Sequence, residues 1–181
     1  MVKSSPMLIT RITKIVMCLV LAVFCLLIAY DNIADYSANY EFVEHVLSMD
    51  TTFPGNELRY RAITNPTLWR IVYALIIIAE GLTGVLFLAG VIQMMRALHA
   101  SGAEFNRAKA YAVAAALVAF LVWFFGFMVV AGEWFDMWQS KTWNGQDAAF
   151  RFYISVLAVL ILLNQADPEL PAGAKRGGPS S

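Results

Sequence analysis

Four long apolar stretches constrain this chain more than any other feature. A helix rises about 1.5 Å per residue, so roughly 20 residues cross the hydrocarbon core of a bilayer. The stretches predict spans at about 12–30, 69–95, 105–131 and 148–164. Composition agrees, because 60% of the 181 residues are hydrophobic and only 14% are charged, too little polar surface for a soluble domain of this size. The expected fold class is an all-α membrane protein: four antiparallel transmembrane helices form a single domain over 1–164, with a short amphipathic helix in the outer loop 31–68. The fourth span is short and starts near Arg151, which can snorkel to the headgroups. Residues 165–181 are rich in Pro, Gly and Ser and read as a disordered cytoplasmic tail.

Helix boundaries are marked by local chemistry. Asn65-Pro66 supplies an N-cap and a proline at the first helical position of the second span. Ser101-Gly-Ala-Glu104 is a capping box for the third, and Asn144-Gly145 makes a turn before the fourth. Cys18 and Cys25 lie seven apart on one face of the first span, too far apart to bond on a straight helix, and read as small apolar fillers. The exit Tyr30-Asp31-Asn32 lacks a small-residue cleavage site, so the first span is expected to be retained.

Orientation follows from Lys and Arg placement. With both termini cytoplasmic, the inner side holds Lys3, Arg11, Lys14, Arg96, Arg107, Lys109, Lys175 and Arg176, against Arg59, Arg61, Arg70, Lys141 and Arg151 outside. Nine of the thirteen acids fall on the outer side. Trp69, Trp134, Trp138 and Trp143 gather there as an aromatic belt would. The lipid bilayer is thus one partner, and a net charge of zero gives no reason to expect nucleic acid.

The outer loop carries the most distinctive passage. Ile33, Tyr36, Tyr40, Val43 and Leu47 recur at three- and four-residue spacing, which predicts the amphipathic helix. The run Glu41-Phe-Val-Glu-His-Val-Leu-Ser-Met-Asp-Thr-Thr-Phe-Pro-Gly-Asn56, with Arg61-Ala-Ile63 after it, resembles the signature of a bacterial family of predicted small integral membrane proteins. That family is a domain of unknown function, number twenty-one sixty-five, and the similarity runs from the first span to the fourth. The resemblance implies a bacterial inner (plasma) membrane and a multi-pass topology. It assigns no catalytic residue.

Glu80 is the one acid deep inside an apolar stretch. Nine steps from Ile71 place it roughly 13 Å deep, near the midplane, where a charge costs about 2.5–3.5 kcal/mol. Three readings stay open: a neutral carboxyl bonded to a backbone carbonyl or Thr83, a contact with another chain, or a group facing water in a proton or cation pathway. Gly81 and Gly84 would let a neighbouring helix approach closely. In the outer loop, His45 and Asp50 are candidates for a proton or metal site, although an exposed interfacial histidine is the simpler reading. Arg59, Arg61 and Arg70 are expected to form salt bridges within the outer cap. His45 and His99 fall on opposite sides, which argues against a bis-histidine haem, and no cofactor, metal or catalytic set is evident. The reading that results is a non-catalytic accessory or assembly subunit packed against a larger membrane protein complex. The alternative is a small transporter or channel formed by self-association, with Glu80 in its pathway.

Overall fold

The computed structural model describes residues 6–171. Six α-helices carry the chain: α1 (Pro6–Ala34), α2 (Tyr36–Ser48), α3 (Pro66–Arg96), α4 (Gly102–Ala108), α5 (Ala110–Phe120) and α6 (Gln146–Asn164). α5 continues into a π-helical segment, Leu121–Trp134, and 3-10 turns occupy Glu57–Arg61 and Met137–Gln139. Four rods are long and apolar enough to cross a membrane: Pro6–Ala34, Pro66–Arg96, Gly102–Trp134 and Gln146–Asn164. The sequence signals act where they stand. Asn65 Oδ1 accepts from the Thr67 amide at 2.9 Å. Both halves of the Ser101–Glu104 box are formed.

Each rod is longer than its apolar stretch, and the extra turns bring polar residues into the packing. α1 runs four residues past the expected end of its span, so Asn32 is helical and buried. Every rod then shows a buried residue at each seventh position. These are Arg11, Cys18, Cys25 and Asn32 in α1, and Tyr73, Glu80, Phe87 and Met94 in α3. The third rod contributes Gly102, Lys109, Ala116 and Trp123, and α6 contributes Ala149, Val156 and Leu163, with Leu170 beyond its end. A seven-residue seam is the signature of helices packed at a shallow left-handed crossing. Small residues bring the rods close. A Cβ at Gly84 would lie 2.6 Å from Leu26 Cγ of α1, and one at Gly90 would lie 2.7 Å from the Ala112 amide of α5.

Polar contacts tie the rods at two ends. At the first, the base, Arg11 donates to the carbonyls of Leu98 (3.0 Å), Ala100 (2.8 Å) and Pro168 (3.0 Å). Lys14 and Lys109 both reach Asp167 Oδ2, at 2.6 and 2.5 Å, and both donate to the Gln165 carbonyl. Asn106 brackets the Asp167 backbone, donating to its carbonyl and accepting from its amide. Burial alone would raise the Asp167 carboxyl, but the two ammonium groups outweigh it and hold the carboxyl below its ordinary range. The tail expected to be disordered from residue 165 is therefore a packed strap through residue 171, with Asp167 and Leu170 buried. Composition missed this because two lysines on other helices hold the strap. Residues 172–181 lie outside the described residues, as do Lys3, Lys175 and Arg176.

The opposite end is the cap. α2 turns Val43, Val46 and Leu47 into an apolar cluster with Trp69, Tyr73, Phe135 and Met137. Ile33 belongs to α1 and is exposed. Met49 ends α2 in the left-handed region, at φ 53°. The loops then lock together: Thr51 donates to Ser140 (2.9 Å), the Phe53 amide to Gln139 (2.9 Å) and Asn56 to Asp136 (2.9 Å).

Candidate functional site

Glu80 is only 3% exposed. The axial rise places it about 16 Å from Trp69 and about 24 Å from Arg96, so it sits nearer the cap than the base. Its Oε2 accepts from Asn32 Nδ2 at 2.6 Å. Asn32 Oδ1 in turn accepts from Asn39 Nδ2 of α2 at 2.6 Å. The Tyr73 hydroxyl donates to the Asn32 carbonyl at 3.0 Å. A polar relay thus descends from α2 through the end of α1 to a buried carboxyl on α3. Among the described residues, Glu80 Oε1 has no hydrogen-bond partner.

The other members of the expected intramembrane group have different roles. Thr83 donates to the carbonyl of Ala79 at 2.8 Å, so it serves its own helix rather than Glu80. Gly84 is filled by α1 of the same chain, and Gly81 meets only Ala29 Cβ, at 3.8 Å. The residue that does reach Glu80, Asn32, and the Asn39 that bonds Asn32 in turn, fall in the segment assigned to the outer loop. The spacing of Cys18 and Cys25 continued to Arg11 and Asn32 is the signal that points to Asn32.

A cavity of about 340 Å³ opens beside this relay. Asn32, Tyr73, Glu80 and Trp123 line it and are buried; Asp31, Asn39 and Ala148 line it and are exposed, which marks them as the mouth. Phe42, Phe127 and Phe152 complete the aromatic walls. Trp123 and Phe127 come from the π-helical segment, a form of helix enriched at functional sites. Across Phe42, Val43, Ile76 and Phe127 lies a second groove of about 440 Å³, lined by apolar side chains.

The expected cap group is only partly assembled. His45 Nδ1 lies 2.7 Å from Asp50 Oδ2, and its ring stacks on Trp143 at 4.6 Å between centroids. No third His, Cys, Asp or Glu joins them to hold a metal among the described residues. Arg59 is exposed and stands apart. Among the described residues Arg61 forms no salt bridge: its guanidinium lies 4.5 Å from the centroid of the Trp134 ring and donates to the Trp134 carbonyl at 3.3 Å. A planar cation stacks well on an aromatic face. Of the four tryptophans expected in an interfacial belt, Trp134 and Trp138 are exposed. Trp69 is buried with Nε1 bonded to the Ile63 carbonyl at 2.7 Å, and Trp143 is half-buried against His45.

Four apolar rods, closed at each end by polar contacts within one chain, define a small integral membrane protein. A family model described as "Predicted small integral membrane protein (DUF2165)" matches residues 10–166, and the chain belongs to that family. No curated protein and no solved structure matches it.

Proposed function

We propose that the protein is a non-catalytic accessory or assembly subunit that docks, through its cap, on a larger membrane protein of a bacterial inner membrane. The cap carries this reading. Phe53, Tyr60, Trp134 and Trp138 are 49, 77, 54 and 47% exposed, at the end of the third rod and on connections beside it that hydrogen bonds pin together. Aromatic residues are enriched at protein interfaces, and a frame that is ordered beforehand loses little entropy on docking. The base, with Arg11, Lys14, Arg96, Arg107 and Lys109, is assigned to the cytoplasm with both termini.

Conduction by the isolated chain is disfavoured by the bundle interior. From Glu80 to Met94, about 21 Å of helix axis, α3 buries Thr83, Phe87 and Val91 against Cys18, Ala22 and Cys25 of α1 and the alanines of α5. Among the described residues Thr83 is the one buried polar side chain between Glu80 and Met94 on α3, and its hydroxyl is engaged by its own helix. Purification in mild detergent from native expression, followed by mass analysis, tests the proposal. We expect a larger membrane protein in fixed stoichiometry, lost when Tyr60→Ala and Trp138→Ala are combined. A homo-oligomer whose cation flux is abolished by Glu80→Gln would replace this reading with the transporter.

A further inference from the structure

We propose that the cap cavity binds a small lipophilic organic cation, an aryl- or alkylammonium group. The inference is independent of the docking role. The lining contains two carboxylates, Asp31 at the mouth and Glu80 at the floor, and neither Lys, Arg nor His. Among the described residues the buried basic groups, Arg11, Lys14 and Lys109, are all at the base, held by the strap. Glu80 is buried with one oxygen facing the cavity and unbonded, a costly state for a charge without a counterion, and among the described residues no basic side chain reaches it.

The walls select the kind of cation. Phe42, Tyr73, Trp123, Phe127 and Phe152 surround the space, and aromatic faces attract quaternary and alkylated ammonium groups through their negative quadrupole. A bare inorganic ion would need several oxygen ligands at once, and the lining side chains here are mostly carbon. At about 340 Å³ the cavity is at the small end of ligand pockets, which fits one ring with a short cationic head. Entry at the mouth passes Asp31, so the cation meets one carboxylate before it reaches the other. The Asn39–Asn32–Glu80 relay fixes the floor carboxyl from α2, so the cap helix holds the receiving group in place.

The test uses the full chain in neutral detergent and benzyltrimethylammonium as the probe, with equilibrium dialysis of the labelled cation. Neopentylbenzene, its uncharged isostere, is the control. The expected result is saturable binding of one cation per chain, weakened at least about tenfold by Glu80→Gln and less by Asp31→Asn. Ala148→Phe closes the mouth while leaving Glu80 in place, and it should also abolish binding. That second variant keeps the test decisive if Glu80→Gln does not fold. The proposal is overturned if the wild type shows no saturable binding, if the neutral isostere competes as well as the cation, or if a folded Glu80→Gln chain binds within about twofold of wild type.

Discussion

Asp167 meets two lysines with a single oxygen, Oδ2, and its own backbone is clamped by Asn106. Removing the carboxyl leaves two ammonium groups buried without their counterion. Asp167→Ala should therefore cost about 3 kcal/mol, read from the denaturation midpoint in detergent. The pH dependence has a definite sign. A carboxyl held below its ordinary value contributes stability that is complete above the unfolded pKa, about 3.9, and lost as pH falls through the folded one. The difference in melting temperature between wild type and Asp167→Asn should be largest near neutral pH and should shrink only below about pH 4. A difference that declines already between about pH 7 and 5 would assign the effect to another group. Arg11 resembles Asp167 in reach, because its η nitrogens satisfy three carbonyls from two separate segments, the α3–α4 connection and the strap.

Among the helices, α3 is the hub, and its glycines are not equivalent. Gly90 faces the backbone of Ala112 at a distance no real Cβ tolerates, whereas Gly81 faces a single methyl carbon at ordinary contact distance. Gly90→Ala should destabilise the bundle by about 1–3 kcal/mol through overpacking. Gly81→Ala should be neutral or stabilising by about 0.5–1 kcal/mol, because alanine loses less backbone entropy in a helix. Thermal melts of the two variants side by side check the contrast; equal losses would mean that α5 does not approach α3 as described. Helix caps such as Asn65 and Ser101 were legible in the sequence because each acts on backbone groups two or three residues away. The π-helical winding of Leu121–Trp134 was not, since no proline marks it and glycines such as Gly126 and Gly132 are common in ordinary membrane helices.

For the whole molecule, the orientation assigned above predicts which ends a membrane-impermeant maleimide can reach. Cys18 and Cys25 are fully buried and should stay silent. Lys141→Cys, exposed at the cap, should label on intact spheroplasts, and Arg107→Cys, exposed at the base, only after lysis. The reverse pattern would invert the topology and place the cap in the cytoplasm. Membrane residence and the number of spans could be read from the chain alone, because the length of an apolar run is a local property that the bilayer thickness converts directly into a helix. Glu80 could be picked out in the same way, as a polar residue in an apolar run. Its partner could not. Asn32 lies 48 residues away and Asp167 lies 153 residues from Lys14, and nothing local couples such positions. Their meeting depends on the register in which one helix seam slides against the next, and that register exists only once the rods are packed.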